Sequence, residues 1–279
     1  MIAEKKKKWK RARLLILLSV VALLNLFPLV WLLDYSLLSN SDFYGDSIMK
    51  LPAPPLWSNY FSAIVDGKFF NYLLNSLFIT GITIAVVITL SICLGYALIR
   101  MKWKGSRFVY TLLITGIMIP IHTTLLPNFF AFQAYGILNT RIALILPYIA
   151  FSMSLGLFIM SGFIEGIPRS LEEAAVMDGC GVLRIIKNVV IPLSKPAAVT
   201  VATMTFFNCW NEFIMAATYT SSDTIRTLPF AVMNFSGKYT SNYTVQFAVM
   251  FLSTVPAIII FILFNKQMTK GIIAGAIKE

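Results

Sequence analysis

The residues best placed to do chemistry are few, and they sit in apolar surroundings. Asn208, Trp210, Asn211 and Glu212 follow closely on one another inside a hydrophobic stretch from Ala197 to Tyr219. Amides and a carboxylate at that spacing can hold a polar solute by hydrogen bonds, and an indole can stack on the apolar face of a sugar ring. The same residues can serve the protein itself, Glu212 as a hydrogen-bond partner among helices and Trp210 as an interfacial anchor. In either role Glu212 has to face away from lipid, because an acidic side chain near the bilayer centre costs about 2.5–3.5 kcal/mol. Covalent chemistry has no such support. His122 is the lone histidine and stands between Ile121 and Thr123 without a metal-ligand partner or a base-orienting neighbour, so it is read as packed or pathway-lining. Cys93, Cys180 and Cys209 show no paired spacing. No P-loop, dinucleotide fingerprint or nucleophile elbow is present. The chain has the means to hold a solute, but no motif for transforming one or for binding ATP.

The elements that must position these residues are membrane spans. With 279 residues, 58% of them hydrophobic and 13% charged, and a mean hydropathy of +0.78, the chain is too apolar for a soluble domain. The reading is an all-α polytopic membrane protein with six transmembrane helices, at about Leu14 to Leu33, Tyr72 to Ile99, Phe108 to Gln133, Ile142 to Phe163, Ala197 to Tyr219 and Val245 to Lys266. The first span follows a basic run from Lys5 to Arg13. It is long for a secretory signal and no small-residue cleavage site follows it, so it is expected to stay as a span. A polar loop from Asp34 to about Asn71 holds Pro52, Pro54 and Pro55, with a short surface helix expected around Trp57 to Phe61. Pro28, Pro120, Pro127, Pro147 and Pro256 fall inside spans and are expected to kink them.

The net charge of +11 would suggest nucleic acid in a soluble protein, but the cations are distributed by topology. Of 23 Lys and Arg, 18 lie in the N-terminal tail, the second-to-third connection (Arg100, Lys102, Lys104, Arg107), the fourth-to-fifth connection (Arg169, Arg184, Lys187, Lys195) and the C-terminal end (Lys266, Lys270, Lys278). The other side has only Lys50, Lys68, Arg141, Arg226 and Lys238. The cation-rich side is therefore cytoplasmic and carries both termini. The chain divides into residues 1–70, comprising the basic tail, first span and extracytoplasmic loop, and a five-helix core over 71–279 whose fourth-to-fifth loop spans 164–196.

That loop is a polar island, and the order of its residues is legible. Ser170 is expected to cap a helix starting at Leu171, with Glu173 as its capping-box partner. Ala174 and Ala175 would give a small-residue face open to close approach, and Gly179 a stop through φ > 0. A second short helix is expected from Val182 to Val190, with Leu183, Ile186 and Val190 on one face and Arg184, Lys187 and Asn188 on the other. Pro192 and Pro196 follow.

Glu173-Ala174-Ala175, then three residues and Gly179, then nine residues and Val189-Val190-Ile191-Pro192, resembles the EAA motif of ABC importer permeases. Asn71 to Leu77, Trp210-Asn211-Glu212-Phe213 and Lys270 to Lys278 resemble the shorter, six-span subunit of the carbohydrate (maltose-type) group, and the likeness covers Asn59 to Lys278. The resemblance implies an import permease for oligosaccharides or disaccharides in a bacterial or archaeal inner membrane, or a permease for glycerol phosphate or another polar solute. It makes the loop a cytoplasmic coupling helix, with Leu171, Glu173, Ala174, Ala175, Asp178 and Gly179 meeting an ATPase, and Lys270 to Lys278 as a further contact. The implied partners are a second, non-identical permease, two cytoplasmic ATPases holding ATP and Mg, and an extracytoplasmic solute-binding protein.

Overall fold

The computed structural model describes residues 2–44, 51–237 and 241–276, with side chains for 9–44, 51–237 and 241–265. Lys5 to Lys8, Lys50, Lys238 and the expected C-terminal ATPase contact at Lys270 to Lys278 lie outside the described side chains. The described residues are helical, with one isolated β-bridge, Ser236 to Ser241. Among the described residues, four helices are each long and apolar enough to cross a membrane, and two bent pairs bring the number to six if each pair is one span.

The chain forms two compact units, residues 1–69 with 231–255, and residues 70–230 with 256–279. In the first unit, α1 (Ile2–Ser36) carries Pro28 and turns Leu14 to Leu24 outward, a surface suited to lipid. The short helix expected near Trp57 is α2 (Ser58–Val65). The loop before it is tied by buried Asn59, whose amide donates to the carbonyls of Ser36 (2.9 Å) and Leu38 (2.8 Å). Ser36 and Tyr60 share a 2.7 Å hydroxyl hydrogen bond. Burial raises the Tyr60 phenol above its ordinary pKa, and the bond to Ser36 works against that rise. Since Asn59 satisfies two carbonyls at once, Asn59→Ala is expected to cost about 2 kcal/mol. Thermal unfolding of the detergent-purified protein would check this, and an unchanged midpoint would remove Asn59 from the account.

The second unit holds most of α3 (Phe69–Ile99), then α4 (Ser106–Thr115), α5 (Leu125–Ala134) and α6 (Ile142–Glu165). It continues with α7 (Arg169–Met177), α8 (Val182–Leu193), α9 (Lys195–Trp210) and α10 (Ile214–Tyr219). The last helix, α11 (Tyr243–Ala276), has Pro256 inside it. One core cluster joins Val87, Ile92 and Tyr96 of α3, Met160 and Ile164 of α6, Ile185 and Val190 of α8, and Ala197 and Val201 of α9. Gly156 permits this close packing, since a Cβ there would lie 2.6 Å from Ser91 Oγ and 3.1 Å from Val87 Cγ1.

Side-chain contacts sort the loop ends into two sets. Arg100, after α3, donates to the carbonyls of Ile164 and Ile167, which flank the end of α6. At the opposite ends Arg141 donates to Asn75 Oδ1 (3.1 Å), and the Asn75 amide donates to the carbonyls of Thr224 (2.9 Å) and Arg226 (3.1 Å). The charge count had put Arg100 with Arg169, and Arg141 with Arg226, and the contacts pair the loop ends the same way.

Two spans differ from expectation. The third is broken rather than kinked: the helical stretches Ser106–Met118 and Ile121–Ala134 meet at 94°. Ile119 before Pro120 is extended (φ −83°, ψ 116°), because the proline ring excludes the helical conformation from the residue ahead of it. Pro127 sits in the first turn of α5, where no intrahelical donor is needed. The fifth span is also interrupted, because α9 ends at Trp210 and α10 begins at Ile214.

Candidate functional site

Glu212 stands in the interruption of the fifth span and caps the helix that follows it. Its buried carboxylate accepts from Met215 N (2.8 Å) and Ala216 N (3.3 Å), two first-turn donors of α10 that have no intrahelical partner. Tyr148 of α6 donates its hydroxyl to the same group at 2.8 Å. Glu212 thus caps the start of α10 and fastens it to α6.

Beside it lies a cavity of about 630 Å³. Asn208, Asn211, His122 and Ser152 supply polar groups to its wall, and Phe151, Phe207, Phe213 and Tyr148 supply aromatic surface. Asn208 and Asn211 are three residues apart at the end of α9, and both are exposed, so their amides face the open space. Of the four expected pathway residues, Asn208, Asn211 and Glu212 come together here. Trp210 does not join them: it is buried and stacks on Phe206 with ring centroids 5.0 Å apart. It is neither at the cavity wall nor an exposed anchor, because its position on α9 turns it into the packed interior. Tyr148 and Phe151 were missed in the sequence, where nothing sets them apart from other aromatic residues in α6.

A second candidate site is the loop of α7. The helix begins at Arg169 with Pro168 as N-cap, and no side chain caps it. The expected Ser170 and Glu173 capping box is therefore absent: the extended Pro168 (ψ 129°) already starts the helix one residue after itself, placing Ser170 inside the first turn. The far end is as expected. Gly179 has φ +77°, its N–H bonds to Val176 O (2.9 Å), and Cys180 N bonds to Ala175 O (2.9 Å). This pair of bonds is a Schellman turn, which requires a left-handed residue at Gly179.

The two faces of α7 differ. Leu171, Glu173, Ala174, Val176, Met177 and Asp178 are exposed, with Met177 at 86%. Ala175, expected on an open small-residue face with Ala174, instead packs inward on the core cluster with Cys180. Glu172, passed over in the sequence, points inward too: Oε1 lies 3.0 Å from Arg100 Nε, a charge contact out of line with the N–H bond. Tyr96 donates its hydroxyl to Glu172 Oε2 at 3.2 Å. The available signal was a doubled glutamate facing an arginine in another loop of the same side.

In α8, Leu183 is exposed while Ile185 and Val190 are buried, which reverses part of the expected face. A π-helical turn at Ile186–Val190 inserts an extra residue and rotates the face, a shift that a regular 3.6-residue period does not anticipate. Between α8 and α9 the axis bends by 76° at Ser194.

The family model described as "Binding-protein-dependent transport system inner membrane component" matches residues 87–274, more than half of the chain, taking in the cavity and the α7 loop. The chain belongs to this family. It is an integral membrane component of a transport system that works with a binding protein. It is 32% identical to the sulfoquinovosyl glycerol transport system permease SmoH of Agrobacterium fabrum, over 93% of this chain and 91% of that one. It is 29% identical to the trehalose/maltose transport system permease MalG of Thermococcus litoralis, over 96% and 97%. Its fold matches a chain in the crystal structure of a bacterial ABC transporter involved in the import of the acidic polysaccharide alginate, with TM-score 0.76 and 23% identity over 90% of this permease and 93% of that chain.

Proposed function

We propose that this permease is the shorter membrane subunit of an ATP-driven importer for oligosaccharides or disaccharides, and that the cavity beside Glu212 is part of the pathway. The observation that carries the proposal is the wall itself, where amide and imidazole side chains alternate with aromatic rings. Sugars present hydroxyls around their edge and C–H groups on their faces, so that combination meets both. Relatives named for sugar and sugar-glycoside transport support the same reading. The alternative solute, glycerol phosphate, carries a dianion, and none of the lining residues is a lysine or arginine to meet it.

In this reading Leu171, Glu173, Ala174, Ala175, Asp178 and Gly179 couple the permease to an ATPase. The exposed apolar side chains of Leu171, Val176 and Met177 then gain a cover. ATP and Mg are held by two cytoplasmic ATPase subunits. A second, non-identical permease and an extracytoplasmic solute-binding protein complete the assembly, and both termini of this chain are cytoplasmic.

The test is uptake of labelled maltose, trehalose and glycerol 3-phosphate by cells carrying the complete transporter. Accumulation of glycerol 3-phosphate without either sugar would sink the proposal. Asn208→Ala and Asn211→Ala each remove one hydrogen-bonding side chain worth about 0.5–1.5 kcal/mol, so each is expected to reduce uptake at low sugar roughly two- to tenfold.

A further inference from the structure

We infer that Arg100 is a positioning residue that ties movement of α7 to the membrane-spanning helices, and that Glu172 rather than Glu173 is its handle on α7. This rests on the permease reading and adds a route by which a displaced coupling helix reaches the cavity.

Three elements converge on one guanidinium. Arg100 sits just past the end of α3 with its side chain 6% exposed. It donates to the carbonyls of Ile164 and Ile167, which flank the end of α6, where carbonyls run short of intrahelical N–H donors. The same guanidinium lies against Glu172 of α7, whose side chain is 14% exposed. Tyr96, one turn back on α3, holds the other carboxylate oxygen. α7 is thus fixed to α3 through two side chains and to α6 through a shared arginine. The planar guanidinium holds its donors in a fixed fork, so one side chain meets both carbonyls and lies against the carboxylate at once.

The neighbouring glutamates divide the work. Glu172 faces inward to Arg100, and Glu173 is exposed beside Val176 and Met177. Arg100, Glu172 and Glu173 line one groove of about 410 Å³ with Tyr96, Arg169 and Met177, so the pair lies directly behind the surface a partner would push. α3 and α6 continue from this junction toward the cavity, where α6 supplies Tyr148, the partner of Glu212. A shift of α7 therefore acts on α6 by way of Arg100, through the Glu172 ion pair and the hydrogen bonds to Ile164 and Ile167, rather than through the apolar contacts of Ala175 alone.

The experiment uses the whole transporter in nanodiscs, with an Asn208→Cys reporter in a Cys93→Ser, Cys180→Ser, Cys209→Ser background. Two quantities are read: ATP hydrolysis, and the rate at which a soluble maleimide labels the reporter with and without ATP and vanadate. With Arg100 present, the labelling rate is expected to change severalfold on trapping. In Arg100→Gln that change is expected to shrink at least fivefold while hydrolysis stays within about twofold. Glu172→Gln leaves the bonds from Arg100 to the Ile164 and Ile167 carbonyls in place, so it serves as the second variant where Arg100→Gln fails to assemble, with the same loss expected. An ATP-dependent labelling change of full size in both variants would overturn the inference. No ATP-dependent change in the background itself would instead overturn the permease reading on which the inference rests.

Discussion

Glu212→Ala is expected to abolish uptake and to lower stability by about 2–5 kcal/mol. The carboxylate satisfies three donors from two elements: the Tyr148 hydroxyl and the backbone N–H groups of Met215 and Ala216. Each donor left unpaired in a buried setting costs about 1–3 kcal/mol, and water from the adjacent cavity recovers part of that. The functional loss follows from geometry. Without its anchor, the Asn211 to Phe213 segment no longer holds the α9 and α10 ends apart, and the Asn208 and Asn211 amides lose their setting at the wall. Glu212→Gln keeps an acceptor for the α10 donors and an amide that Tyr148 can accept from, so its cost is expected near 1 kcal/mol. Unfolding midpoints in detergent and sugar uptake should both rank wild type, Gln, Ala in that order. An alanine variant as stable as wild type would show that the carboxylate does not cap the start of α10.

Gly179→Val is expected to reduce uptake at least tenfold while leaving membrane insertion intact. A left-handed conformation costs a residue with a Cβ roughly 1–2 kcal/mol, and a β-branched side chain tolerates it worst. No atom lies within 4 Å of a Cβ built at Gly179, so the effect is one of backbone conformation and not of collision. A penalty of that size shifts the population of the formed Schellman turn by about 5–30-fold. The exposed position of α7 means that the spans themselves are untouched. Gly179→Asn, which enters the left-handed region more readily, should retain more activity. Uptake normalised to permease abundance by immunoblot, alongside ATP hydrolysis, separates lost coupling from lost protein. Normal uptake in the valine variant would remove the turn from the coupling apparatus.

Hydropathy located the spans because burial in lipid is a property of composition over about twenty residues. It could not see the breaks at Pro120 and Glu212, because the apolar run continues through both while the hydrogen-bond ladder does not. Gly179 was legible since a left-handed turn leaves few choices of residue. The start of α7 was not: Ser170 and Glu173 have the spacing of a capping box, but Pro168 starts the helix earlier and Glu173 ends on the open face. Glu172 and Glu173 are chemically identical and adjacent, so only the tertiary position of Arg100 tells them apart. The same holds for Trp210, whose burial against Phe206 is set by the packing of α9.

The amide of Asn75 reaches across about 150 positions of sequence to the Thr224 and Arg226 carbonyls, while Arg141 closes on its oxygen. During synthesis the chain emerges from its N-terminus. Asn75 is therefore in the membrane long before its last two partners leave the ribosome. The tie on the start of α3 can close only once the segment around residue 225 has been made. A ribosome paused before that segment would hold a permease whose α3 lacks this tie and whose α11 has yet to be made.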